Sequence, residues 1–279
     1  LYNVALGAVS QSGSEYTYRN PLVGNGKLRQ WDWHECPCCP PMLMKIMASI
    51  AEYSYYVSGR ALFVNLYVAG TANLCVGGKA VGVSQSTNYP WEGEVTIQVQ
   101  LDEPAQLALN LRIPGWCTAW TISLNGERFC PQVSQNGYVS INRQWNDGDT
   151  VQLQLTLQAV RYEAHPTVQA DRGRVAVQRG PLLYCFEAVD NPGLGTLTIS
   201  ASPKIEERFD PDLLGGIVVV TAAAHDGTRM SAVPFYARGN RNEGPLDFAV
   251  WMPQEGAVPH NEAGEPQWLY RPYQNPETE

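Results

Sequence analysis

The chain reads as mainly β, with two β-sandwich domains behind a short helical lead. Three observations predict this. From residue 61 onward, short runs rich in branched and aromatic residues recur at close spacing. Turn chemistry divides them: Gly77-Gly78, Asn125-Gly126, Asn136-Gly137 and Asp147-Gly148-Asp149. Only one complete stretch, beginning near Pro41, carries apolar residues at three- and four-residue spacing.

Taken in order, residues 1–9 read as the end of a helix. Gln11 to Ser14 is a turn, residues 15–19 alternate as a short strand, and residues 20–29, with Pro21, Gly24 and Gly26, read as loop. Leu43, Ile46, Met47, Ile50, Ala51 and Tyr53 then share one face of a helix over 41–57. Pro40 and Pro41 suit its first turn, where a backbone N–H has no partner to lose. Ser58-Gly59 is expected to end it, with glycine in the left-handed conformation. Strands are expected at 61–69, 80–84, 94–100, 106–113, 118–124, 138–142 and 150–157, a spacing that suggests a sandwich of roughly 100 residues. A second set is expected at 174–178, 182–187, 197–200, 217–221 and 235–237, and residues 248–251 can join either sheet. The composition after Pro253 shifts to Pro, Glu, Gln and Asn, so residues 254–279 read as a loosely ordered tail.

At 279 residues the chain has room for two modules with their own cores. A net charge of −8 argues against nucleic acid or an anionic membrane surface as partner. No apolar run approaches the roughly 20 residues that cross a bilayer, and no secretory leader is visible. Leu1 stands where a complete chain has Met, so the sequence reads as a fragment, and the resemblance below implies the C-terminal portion of a longer protein. Eight Trp and fourteen Tyr suit stacking on sugar faces, but filling sandwich cores is the stronger reading.

Cys36-Pro37-Cys38-Cys39 crowds three thiols into four positions just before the helix. A thiolate at a helix N-terminus is stabilised by the unpaired N–H groups. Adjacent cysteines can both hold one zinc, which takes about four ligands. Cys36 can supply a third, and His34, Glu35 or an upstream group the fourth. Two further readings stay open: three reduced thiols packed at a helix start, or a redox Cys-x-x-Cys, for which the β context is wrong. Cys75, Cys117, Cys130 and Cys185 read as small buried hydrophobes, with a Cys117–Cys130 pairing left open. His165, His225 and His260 read as surface or loop residues. Glu92 and Glu94 beside Trp91 make either a sugar-binding edge or a solvated hairpin. The reduced look of the cysteine cluster leans toward a cytoplasmic setting.

The segment Trp33-His34-Glu35-Cys36-Pro37-Cys38-Cys39-Pro40-Pro41, with Ala48-Ser49-Ile50 and Tyr53, resembles the signature of glycoside hydrolase family 127, the β-L-arabinofuranosidases. Leu1 to Leu6, Tyr18 to Leu22, Asn88 to Trp91, Leu111 to Trp116, Leu124 to Gly126, Val177 to Cys185 and Asn240-Arg241 agree in order. The resemblance implies an (α/α)6 barrel followed by two β-sandwich domains. Residues 1–58 would then be the remnant of the barrel, 59–162 the first sandwich, 163–234 the second and 254–279 a tail, with a strand from 235–253 available to return to the first. It also implies retaining hydrolysis of L-arabinofuranosyl oligosaccharides or glycoconjugates by a zinc-bound cysteine. By position Cys38 is the nucleophile and a zinc ligand, Cys39 a second zinc ligand, and Tyr18 lines the sugar pocket. Cys36 matches a cysteine beside the site to which no role is assigned.

The family's other zinc ligands and its glutamate acid lie upstream of this region, and Glu15 and Glu35 do not match them. The chain alone is therefore expected to be inactive. The alternatives are a non-catalytic carbohydrate-binding protein and a structural module with a thiol-rich zinc site. The apolar helix positions Leu43, Ile46, Met47 and Ile50 are expected to be partly uncovered.

Overall fold

The computed structural model describes residues 1–17, 19–24, 38–134, 136–241, 247–256 and 268–273. The chain is mainly β, as its turn-divided runs predict. It forms two compact units, Pro41–Leu157 and a discontinuous one made of Leu1–Pro40 with Gln158–Glu279.

The Pro41–Leu157 unit is a sandwich of two sheets. One has the order Tyr138–Trp145, Ala105–Arg112, Ala61–Val64, Tyr55–Ser58. Its Ala61–Val64 and Ala105–Arg112 strands are parallel, its other pairs antiparallel. The second runs Gly70–Val76, Lys79–Thr87, Glu94–Gln100, Thr150–Leu155, Trp120–Leu124, Glu127–Phe129, all antiparallel. Strand alternation decides which side is buried: Val95, Ile97 and Val99 point inward while Glu94, Gln98 and Gln100 face water. They meet Leu62, Leu109, Leu111 and Ile141 of the facing sheet in one core. Trp145 lies fully inside it and donates its indole N–H to the Leu107 carbonyl at 3.1 Å.

Two turns hold this sandwich closely. Asn125 (φ +50) and Gly126 (φ +84) close the hairpin from Trp120–Leu124 to Glu127–Phe129, the paired positive φ that Asn-Gly favours. Gly93 donates nothing through a side chain but lies against the neighbouring backbone: Leu155 N donates to its carbonyl at 2.9 Å.

Asp149 ties the Asn125 turn to its neighbour, accepting from Asn146 N at 2.9 Å and the Asn125 amide at 2.8 Å, with Arg143 at 3.8 Å. Burial alone would raise this carboxyl, but the Asn146 N–H, the Asn125 amide and Arg143 outweigh it and hold it below the usual carboxylate range. A folded-state value below the unfolded one stabilises the fold above the unfolded pKa of about 3.9, and that stability is lost as pH falls through the folded value. Asp149→Asn is therefore expected to lower the calorimetric Tm at pH 7, with the gap to the parent narrowing as pH falls below the ordinary carboxylate range. A gap that persists unchanged in acid would exclude the carboxylate as its source.

The discontinuous unit carries the order Glu206–Asp210, Ile217–Ala223, Arg229–Pro234, Leu182–Glu187, Arg174–Arg179, Ala159–Ala164, Tyr270–Pro272. Phe248–Ala249 adds to Leu182–Glu187 and pairs in turn with Val23–Gly24, and Met252–Pro253 adds to Arg174–Arg179. Val175, Val177, Tyr184, Phe186 and Ile217 fill its interior. The buried Tyr184 hydroxyl donates to Val218 O at 2.9 Å.

Several expectations are corrected. The helix is Cys39–Ser49, followed by one 3-10 turn, Ile50–Tyr53. Ser49 bonds back to Lys45 O at 2.9 Å, a local competitor with helix continuation. Tyr55–Ser58, rich in aromatic and branched residues, is a strand paired with Ala61–Val64, and Gly59 (φ +57) closes that hairpin instead of capping a helix. Residues 248–251, which the sequence leaves free to join either sheet, lie in the discontinuous unit, where Phe248–Ala249 pairs with Leu182–Glu187 and Val23–Gly24. Phe235–Ala237 is a 3-10 turn, with the strand before it at Arg229–Pro234. The tail is partly ordered, because Tyr270–Pro272 pairs with Ala159–Ala164.

His165 is buried, with Nδ1 at 2.8 Å from Thr167 Oγ1 and its ring edge-on to Trp268. His225 is exposed and paired with Glu255, and His260 lies outside the described residues. Cys185 is buried as expected, but Cys75 and Cys130 are exposed and Cys117 half-buried; no disulfide joins Cys117 to Cys130. The helix has no buried residue: Met42, Met44, Ile46 and Met47 are exposed and Leu43 and Ile50 half-buried, which bears out the uncovered apolar face.

Candidate active site

The thiol centre is built from the chain's first forty residues. Leu6–Ala8 makes one 3-10 turn. Val9 then bridges Tyr16, with Ser10 N donating to Glu15 O at 2.9 Å and Thr17 N to Ala8 O at 2.6 Å. Gln11 to Ser14 is the turn of this small antiparallel pair, as its Gly and Ser predict, and Gly13 takes a φ of +73. The expected strand over 15–19 is only this bridge within the described residues.

Cys38 directly precedes the helix and Cys39 opens it. Cys38 is exposed and Cys39 half-buried. Their Sγ atoms stand 3.8 Å apart. Sulfurs that share one tetrahedral zinc, each about 2.3 Å from it, are separated by about 3.8 Å. The two thiols thus already stand at the spacing of one edge of a zinc tetrahedron, on the electropositive end of a helix. Among the described residues no group of three or more His, Cys, Asp and Glu converges here or elsewhere. Cys36, His34, Glu35 and Tyr18 lie outside the described residues.

Tyr16, to which the sequence assigns no role, is a further group within electrostatic reach of the thiols. Burial pushes its phenol up, and Cys39 and then Cys38 add to the shift, so the hydroxyl lies close enough to feel both sulfurs. The only sequence signal was the alternation of residues 15–19, which sets Tyr16 two positions from Tyr18 and therefore on the same side of any extended segment.

Asn20 and Gln11 attach this segment to the C-terminal sheet. Arg238 Nη2 donates to Asn20 Oδ1 at 2.9 Å, and Gln11 N donates to Asn240 Oδ1 at 2.8 Å. Asn3 spans the same distance, donating to Pro181 O at 2.9 Å and accepting from Leu183 N at 2.8 Å. The Val177 to Cys185 stretch singled out in the sequence therefore carries the anchor for Asn3.

Comparison with known proteins gives one consistent answer. Residues 1–52 match the model of the beta-L-arabinofuranosidase GH127 catalytic domain, residues 61–157 its middle domain and residues 159–253 the glycoside hydrolase family 127 C-terminal domain. The chain is 33% identical over 251 residues to the non-reducing end beta-L-arabinofuranosidase of Bifidobacterium longum subsp. longum, an alignment covering 80% of this chain and 37% of that protein. The crystal structure of a GH127 beta-L-arabinofuranosidase from Geobacillus stearothermophilus T6 superposes with a TM-score of 0.85 at 36% identity, covering 91% of this chain and 45% of that one. A second GH127 beta-arabinofuranosidase structure gives 0.84 at 32% identity, over 91% and 44%. The chain spans less than half the length of each of these relatives.

Proposed function

The chain belongs to glycoside hydrolase family 127, and from that premise we propose that it carries the thiol centre of a retaining β-L-arabinofuranosidase. Cys38 is its nucleophile, and Cys38 and Cys39 are two of its zinc ligands. The observation that carries this reading is the 3.8 Å separation of the two Sγ atoms at the helix start.

Zinc held there would keep both thiols deprotonated near neutral pH and fix their aim. Cys38 Sγ then attacks the anomeric carbon of a terminal arabinofuranosyl unit. A C–S bond forms as the glycosidic C–O bond breaks, and the departing oxygen takes a proton from a general acid. Water next attacks the same carbon from the opposite side, giving its proton to a base. The C–S bond breaks, the thiolate returns, and two inversions leave the anomeric configuration unchanged. Tyr18, by its family position, is the residue that would line the sugar pocket. The partner is an L-arabinofuranosyl oligosaccharide or glycoconjugate.

A purely structural zinc staple is less well supported. The helix that the thiols open has no buried residue, so a metal at its start would brace little core.

Elemental analysis tests the reading directly. Zinc held by the purified protein is expected to be lost in the Cys38→Ser/Cys39→Ser variant. Zinc retained unchanged in that variant would remove these two cysteines from the metal site, and no zinc in either would mean that the site needs ligands from outside this chain. Unfolding of the parent on chelation would favour the staple.

A further inference from the structure

The outward face of the six-stranded sheet in the Pro41–Leu157 unit carries chemistry that the thiols leave unused. Strand alternation turns Val95, Ile122 and Leu153 into the core and the residues beside them toward water. Register sets those outward residues in two rows. In the first, Gln152 stands between Thr96 and Ser123, and Ser123 stands opposite Arg128. In the second, Gln154 stands between Glu94 and Thr121. The first row crosses four strands, a span of about 14 Å, and the second runs about 7 Å from it along the strands. Glu94, Thr121, Ser123, Arg128, Gln152 and Gln154 line a groove of about 400 Å³ here, a volume in the range of ligand sites.

Two hydrogen bonds decide what the groove offers. Ser123 Oγ donates to Gln152 Oε1 at 3.0 Å, so the Gln152 carbonyl is engaged and its NH2 group is turned to donate outward. Gln154 Nε2 donates to Leu155 O at 3.2 Å, so its carbonyl oxygen is the group left to accept. Arg128 extends the Gln152 row with a planar fork of donors, and Glu94 extends the Gln154 row with two acceptor oxygens. All four of these residues are exposed. One row therefore donates and the other accepts.

We propose that this groove binds a neutral oligosaccharide, through side chains that take no part in the thiol chemistry. A sugar hydroxyl both donates and accepts, so a polyol lying along the groove meets the donor row on one flank and the acceptor row on the other. An anion would meet Glu94 and a cation Arg128, and the two charges cancel over the groove as a whole. An apolar ligand would find little, because the Ile122 and Leu153 side chains are spent on the core. A peptide strand would find no open edge, since Glu94–Gln100, Thr150–Leu155 and Trp120–Leu124 are each paired on both sides. Of the two carboxylates beside Trp91, Glu94 is the one on this groove; Glu92 accepts from the Asn88 amide at 3.1 Å.

Saturation-transfer NMR on the intact chain carrying Cys38→Ser/Cys39→Ser tests this with two neutral probes, an arabinofuranosyl trisaccharide and xylotriose. The first probe follows from the glycosidase reading and the second does not, and neither needs hydrolysis, so failure of that reading leaves the result standing. At least one probe is expected to bind with a Kd on the order of 1 mM. Adding Arg128→Ala/Gln152→Ala is expected to weaken it about tenfold or more, the loss of two hydrogen-bonding groups, one of them charged. Both positions are exposed, so Tm should hold. If it falls, Gln154→Ala decides by the same weakening. Binding of neither probe, or equal binding with and without these substitutions, would overturn the proposal. A sulfated oligosaccharide that binds more tightly than both neutral probes would overturn the ligand class.

Discussion

Cys38→Ala is expected to reduce turnover of an aryl β-L-arabinofuranoside by a factor on the order of 10³ or more, in any polypeptide that carries this chain and hydrolyses that substrate. The size follows from the role. Removing a nucleophile leaves no atom to form the glycosyl intermediate, so what remains is binding and water attack. Cys38 is exposed and precedes the helix, so its loss removes little packing and folding should persist. Cys39→Ala is expected to lose activity through the metal, with zinc content and rate falling together. The check is steady-state kinetics beside metal analysis for both variants. A Cys38→Ala rate within tenfold of the parent would place the nucleophile elsewhere.

The second large effect concerns stability. Gly93→Ala is expected to destabilise the Pro41–Leu157 unit by roughly 3 kcal/mol or more, which for a unit of this size lowers Tm by on the order of 10 °C. A Cβ at Gly93 would fall 1.8 Å from the Leu155 carbonyl oxygen, well inside contact distance. The obstacle is backbone, and it belongs to the strand whose amide bonds back to Gly93 at 2.9 Å. Relief requires the Thr150–Leu155 strand to move, together with its pairing to Glu94–Gln100 and the fully buried Val151, Leu153 and Leu155. Gly115→Ala is a matched control, since nothing lies within 4 Å of a Cβ there. Calorimetry of the two variants side by side makes the comparison, and equal Tm values would refute the steric argument.

What was legible in the sequence depended on how local its cause was. The Asn125-Gly126 hairpin needs two adjacent residues at positive φ, and that requirement is written in the dipeptide. Cys38 and Cys39 were legible for the same reason: neighbours in sequence, they are neighbours in space. The helix ends earlier than its pattern suggests because Ile50, Tyr53 and Val57 keep a helical face while Tyr53, Tyr55 and Val57 alternate as a strand, and pairing with Ala61–Val64 decides between them. Tyr270–Pro272 was unreadable as a strand because its partner lies over a hundred residues earlier. Tyr16 is silent in the sequence because its electrostatic coupling to Cys39 and Cys38 is made by the fold, which no spacing of residues encodes. Asn20 and Arg238 likewise carry no motif; only the fold joins them.

The division of the chain also sets an order of events at the ribosome. Pro41–Leu157 is continuous and can close as soon as it emerges, whereas the thiol-bearing segment belongs to a unit whose partners come at Gln158 and beyond. Asn20 must wait for Arg238, and Val23–Gly24 for Phe248–Ala249. At about 5–20 residues per second, that wait lasts on the order of 10–45 s. During it Cys38 and Cys39 are nascent-chain thiols whose segment lacks its folded partners, open to oxidants and to soft metals. For thiols that hold zinc as proposed, slower synthesis or an oxidising milieu should lower the yield of metal-bearing centres while the sandwich inserted between the two halves still folds.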